Sequence, residues 1–81
     1  MQVTVHFYSY FKDLTGRPSA AVDLPEKATI EQLLRALFGR YPKLEPMSKS
    51  MLIAVGVDYQ RKDYQLNNGE EVSLFPPVQG G

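Results

Sequence analysis

The sequence predicts an α+β domain in which one main helix covers one face of a mixed β-sheet. Three observations carry this reading. Apolar residues alternate at Val3, Val5 and Phe7. A single helical stripe runs through Ile30, Leu33, Leu34, Leu37 and Phe38, and short apolar runs at Leu52–Val55 and residues 72–75 follow it. With 81 residues, 43% of them hydrophobic and 22% charged, the chain holds one small core and has the composition of an ordinary globular protein.

Residues 3–8, V-T-V-H-F-Y, have the β-branched and aromatic content that suits a pleated surface, with Val3, Val5 and Phe7 inward and His6 outward. Residues 14–18 carry Gly16 and Pro18 and predict a loop. Residues 20–24 then form a short strand able to return antiparallel to the first, ended by Pro25. Thr29 stands before the helical stripe as its cap, and Gln32 three residues on completes a capping box. Glu31 near the start and Arg35 and Arg40 near the end suit the helix dipole, while Gly39 and Pro42 favour termination.

Residues 42–50, rich in Pro and Ser, predict a loop, and the continuous apolar run Leu52–Val55 predicts a central strand. The polar residues 59–64 predict a short edge strand or a turn. Residues 66–70 predict a tight turn with Gly69 or an Asn at positive φ, before the last strand at 72–75. The expected order is β-β-α-β-(β)-β, with a domain over residues 1–75 and an extended tail over 76–81.

Much chemistry is excluded by what the chain lacks. With no cysteine and one histidine it has no zinc or iron ligand set, so no bound metal or cofactor is expected. No Gly-rich phosphate loop occurs, so any ATP used is held by another protein. Nine basic and nine acidic residues give zero net charge, which argues against nucleic acid. No apolar run is long enough to span a bilayer, and the alternating start is unlike a signal peptide, so the expected location is the cytoplasm. Glu70 and Glu71, adjacent and therefore on opposite faces of a strand, are expected to be solvated edge charges.

The informative segment is the ending Phe75-Pro76-Pro77-Val78-Gln79-Gly80-Gly81. Two residues without an N–H stop the strand and favour an extended, outward path. Beyond Phe75, six residues reach about 20 Å at roughly 3.3 Å each. Gly80 and Gly81 make the narrowest probe a polypeptide can present, and a terminal glycine carboxylate is unhindered toward activation as an acyl-adenylate. Converted to a thiocarboxylate, it would give a cysteine-free protein a soft sulfur nucleophile on its own main chain.

These residues resemble a known family. Phe7-Tyr8 followed by Phe11-Lys12-Asp13-Leu14 and Gly16, the helix after Thr29, Leu52–Val55, the turn Leu66-x-x-Gly69-Glu70-Glu71-Val72 and the Phe75-Pro76-Pro77-Val78-x-Gly80-Gly81 ending are similar to the small subunits of molybdopterin synthase, ubiquitin-like sulfur carriers of the MoaD/ThiS type. The resemblance implies a β-grasp fold with first and last strands adjacent in the sheet. It implies that an ATP-dependent, E1-like adenylyltransferase activates Gly81 and that a sulfurtransferase relay supplies sulfur. The charged carrier then donates to cyclic pyranopterin monophosphate within a heterotetramer of two small and two large subunits. Catalytic groups are expected on the large subunit, making this chain a co-substrate. Gly56 departs from the Asn common in the family and leaves the local turn open.

Partner contacts are expected to flank the tail, with Tyr8, Tyr59 and Phe75 as the aromatic candidates, while Lys12, Arg61 and Lys62 read as solvated charges. The same ending also fits a carrier for thiazole synthesis or tRNA thiolation, a ubiquitin-like modifier joined to lysines, or an interaction module with an inert tail.

Overall fold

The computed structural model describes residues 1–77. Five strands form one mixed sheet: β1 (Gln2–Phe7), β2 (Ser19–Asp23), β3 (Leu52–Val55), β4 (Asp58–Tyr59) and β5 (Glu71–Phe75), in the spatial order β2-β1-β5-β3-β4. The first and last strands lie side by side and parallel at the centre, with Thr4 opposite Glu71 and Phe7 opposite Leu74. β2 pairs antiparallel with β1, and β3 pairs antiparallel with β5.

Alternation decides the faces. Val3, Val5, Phe7, Ala20, Val22, Ile53, Val55, Val72 and Leu74 are buried on one face, where Ile30, Leu33, Leu34 and Leu37 of the helix α2 (Ile30–Arg40) join the same core. Phe38, expected on the inner stripe, is only half-buried at its margin. No polar or charged side chain is buried among the described residues.

The capping box is present: Gln32 N donates to Thr29 Oγ1 at 3.4 Å and Thr29 N to Gln32 Oε1 at 2.9 Å. The first two amides of the helix, which have no partner within it, are satisfied from elsewhere. Ile30 N donates to the Tyr64 carbonyl and Glu31 N to the Lys62 carbonyl, both at 3.0 Å, while Leu33 N reaches the Thr29 carbonyl. The polar segment expected as a short edge strand or turn holds both, the end of β4 at Tyr59 and a turn closed by Tyr64 N on the Arg61 carbonyl at 3.0 Å. It crosses the start of α2 and supplies carbonyls to it.

Two short elements depart from the expected loops. The chain forms a helix, α1 (Phe11–Thr15), closed by Gly16 at φ 76°, whose N–H donates to the Lys12 carbonyl. Its buried Phe11 pins it to the core. A 3₁₀-helix (Pro42–Met47) replaces the expected loop at 42–50, with Leu44 fully buried beneath it. Gly39 is not the helix stop. α2 continues to Arg40, and Tyr41 N caps it by bonding the Leu37 carbonyl at 2.6 Å.

Glu70 is a structural clamp and not a solvated edge charge. It precedes β5, accepts from Tyr64 Oη at 2.9 Å and from Asn67 N at 2.6 Å, and so ties the 66–70 turn. Gly69 takes φ 84° there, and its N–H bonds the Gln2 carbonyl, attaching the turn to the start of β1. Glu71 meets His6 across the open face, Nε2 to Oε1 at 2.7 Å.

Two outcomes follow. Leu34 is 2% exposed, so Leu34→Ala should cost about 2–5 kcal/mol in a urea unfolding titration. The hydrogen bond to the Glu70 carboxylate, with some desolvation, raises the Tyr64 phenol above its ordinary range. A pKa raised on folding means this contribution to stability is present below about pH 10 and fades as pH rises through the folded value. Glu70→Gln should therefore bring the Tyr64 ionisation down when followed by ring NMR shifts.

Candidate functional site

Because β1 and β5 are parallel neighbours, their ends arrive at the same edge of the molecule. Tyr8 directly follows β1, and its N–H donates to the Leu74 carbonyl at 3.2 Å. The chain then reverses at Ser9, which takes φ 55°, and enters α1. This left-handed turn costs a non-glycine residue about 1–2 kcal/mol. It leaves Tyr8 as the last extended residue, facing away from the core.

Phe75 occupies the matching place on β5. The two rings stack with centroids 4.6 Å apart and planes inclined by 14°. Leu52 pairs with Phe75 from the other side and is half-buried. Tyr8, Phe75 and Leu52 thus form an apolar row on the uncovered sheet face, at the point where the chain leaves β5 into Pro76 and Pro77. Both prolines are half-buried and belong to no strand.

Tyr59 is 69% exposed and lies opposite Ala54 on β3. Its register places it with Ser19, His6, Ser73 and Ala54, one row further from the tail. The structure brings Tyr8 and Phe75 together and leaves Tyr59 two strand spacings away from Phe75, about 10 Å, on the same face. Val78, Gln79, Gly80 and Gly81 lie outside the described residues. Lys12 sits in α1 near the tail end, whereas Arg61 and Lys62 flank the start of α2 at the opposite end.

Leu52, unremarked among the expected contacts, belongs to this surface. Its signal was present: it begins an apolar strand whose next alternate residue, Ala54, shares its face. At Gly56, φ is 61° in a two-residue connection between β3 and β4. That is the glycine position of a two-residue hairpin, where any side chain is strained, so the glycine suits the turn.

What the site can do chemically is limited. Among the described residues no group of three His, Cys or carboxylate side chains is arranged to hold a metal. No polar or charged side chain is fully buried among the described residues. The surface is a contact platform around the root of a tail.

The ThiS family model matches residues 5–81. The chain belongs to the ThiS family. Relatives include the molybdopterin synthase sulfur carrier subunit of Escherichia coli (strain K12), 31% identical, covering 98% of this chain and 99% of that protein. That of Caenorhabditis elegans is 28% identical, covering 100% and 99%. Among solved structures, a putative molybdopterin converting factor subunit 1 from Pyrococcus furiosus superposes with TM-score 0.88 at 28% identity over 96% of this chain and 99% of that one. SAMP1 from Haloferax volcanii (TM-score 0.87, 23% identity, both chains fully covered) shares the fold. So does a chain from the complex of subunits 1 and 2 of the molybdopterin-converting factor from Helicobacter pylori 26695 (TM-score 0.68, 23% identity, both fully covered). The β-grasp expectation is met: this ThiS-family chain has the ubiquitin-like sheet with a helix packed on it. No helix among the described residues is long and apolar enough to cross a membrane.

The Tyr8–Phe75 stack should behave as a coupled pair. A double-mutant cycle with Tyr8→Ala and Phe75→Ala, read by urea denaturation, is expected to give about 0.5–1.5 kcal/mol of interaction energy.

Proposed function

We propose that this chain is the sulfur-carrier small subunit of a molybdopterin synthase, with Gly81 as the reactive terminus. The observation that carries the reading is the Phe75-Pro76-Pro77-Val78-Gln79-Gly80-Gly81 ending, whose first residue stacks on Tyr8, in a chain that matches sulfur-carrier subunits from end to end. A domain with no buried acid or base among its described residues suits a co-substrate whose chemistry is performed by its partners.

In this reading a Gly81 carboxylate oxygen attacks the α-phosphorus of ATP held by an E1-like adenylyltransferase, and pyrophosphate leaves. The terminal sulfur of a relay persulfide then attacks the acyl carbon and expels AMP, and a thiol of the relay cleaves the resulting acyl disulfide, leaving Gly81 as a thiocarboxylate and the relay as a disulfide. The loaded carrier docks on the synthase large subunit, with Pro76 to Gly80 threaded into its cleft and Tyr8, Phe75 and Tyr59 against its surface. Sulfur passes to cyclic pyranopterin monophosphate to build the dithiolene. Two carriers serve each product in a cytoplasmic heterotetramer. The H. pylori complex of subunits 1 and 2 supports a large-subunit partner for a chain of this fold.

Incubation with the activating enzyme, ATP and a sulfur donor, followed by thiol alkylation and mass spectrometry, should label only the peptide that ends at Gly81. The protein has no cysteine to mimic that label. Deleting Gly81 should abolish labelling and leave the circular dichroism spectrum and unfolding midpoint unchanged, because no core residue among those described lies beyond Leu74. Gly81-dependent conjugates on denaturing gels, without a thiocarboxylate, would assign a protein modifier instead.

A further inference from the structure

A second surface at the tail end is not used by the reading above. Tyr41, the cap of α2, packs edge-on against Phe7 with ring centroids 5.6 Å apart, which fixes where its hydroxyl lies. Two guanidinium groups converge on that oxygen: Arg17 Nη1 donates at 3.5 Å and Arg40 Nη2 at 3.3 Å. Arg40 is held further by Nη1, which donates to the Ala21 carbonyl on β2 at 3.1 Å, and by its position 5.3 Å from the Tyr41 ring centroid. Among the described residues neither arginine has a carboxylate within ion-pair distance.

Two cations sharing one neutral acceptor repel each other, and an incoming anion would relieve that repulsion. Arginine's planar fork is also the side chain best matched to carboxylate geometry. In a chain with no net charge the cluster is a local feature and not part of a general basic surface. Arg17 also borders a surface depression of about 390 Å³ that Lys12 lines, with Asp13 as its single carboxylate.

Position supplies the second part of the argument. Phe7 N donates to the Pro18 carbonyl at 2.8 Å, so Arg17 and Pro18 lie at the end of the sheet where Phe7 and Leu74 pair and the chain departs for the tail. Tyr8 and Phe75 face one side of the sheet there, and the Arg17–Tyr41–Arg40 cluster lies toward the helical side. A protein that takes up the tail from this end is within reach of both surfaces.

We propose that Arg17 and Arg40, held together by the Tyr41 hydroxyl, form a docking site for a carboxylate cluster on the synthase large subunit, engaged as that partner takes up the tail. This rests on the sulfur-carrier reading for the identity of the partner. The site acts on encounter, steering the tail into register, while the aromatic platform holds the complex once formed.

The test is stopped-flow association of the full chain with the large subunit from the same organism, at low and at physiological ionic strength. Arg17→Gln/Arg40→Gln should slow association about tenfold at low salt and flatten its salt dependence, with little change in dissociation. Arg17→Gln alone, which removes contact with Tyr41 but leaves the Arg40 bond to β2, should show a smaller effect in the same direction. Lys27→Gln/Lys62→Gln removes the same charge around the start of α2 and serves as the control for net charge. Association of the arginine variants equal to that control, while Phe75→Ala still weakens binding, overturns the docking site and leaves the carrier reading standing. A wild-type chain that does not bind the large subunit overturns both.

Discussion

The parallel pairing of β1 with β5 is the constraint on which the rest of the molecule depends. It brings the two ends of the sequence together at the centre of the sheet, with the apolar sides of both strands sealed by α2. Parallel neighbours finish at the same edge, so this one pairing also sets Tyr8 beside Phe75 and fixes where the chain exits. An antiparallel central pair would have sent the start of β1 to the tail's root and left the aromatic partner at the far end.

Around that pair the domain divides its labour by face and by edge. The inner face is entirely apolar among the described residues, and its stability comes from burial, capping and backbone hydrogen bonds. The open face changes along the strands, from the His6–Glu71 contact to the apolar row of Tyr8, Phe75 and Leu52. Behind the same edge stand Arg17 and Arg40. The aromatic row and these two arginines thus share the end of the sheet where the tail begins.

The long periodic elements were legible from sequence because their signals are repeated: alternation in β1, five apolar positions along α2, and a capping box that needs only Thr29 and Gln32. Short elements were not. α1 spans barely one turn, and its only marks are the Phe11 and Leu14 spacing and Gly16 as a left-handed cap. The 3₁₀-helix announces itself only through Leu44 and Met47, two apolar residues among prolines and charges. At the site, the tail motif and its flanking aromatics stood out by composition. The stack of Tyr8 on Phe75 depends on strand order, which periodicity does not carry, and the convergence of Arg17 and Arg40 on Tyr41 joins three loops and caps that no local pattern links. Glu70 was misread because its partners, Tyr64 and Asn67, act through a turn whose geometry adjacent charges alone do not reveal.

The place of β5 in the sheet has a further consequence for the life of the chain. The central strand is also the last of the described strands in chain order, so β1 and β2 leave the ribosome before the neighbour that seals them exists. The domain is therefore obliged to fold after synthesis of β5 and not progressively from its N-terminus. Nascent chains shortened before Phe75 lack the middle of the sheet and leave the apolar faces of its neighbours uncovered.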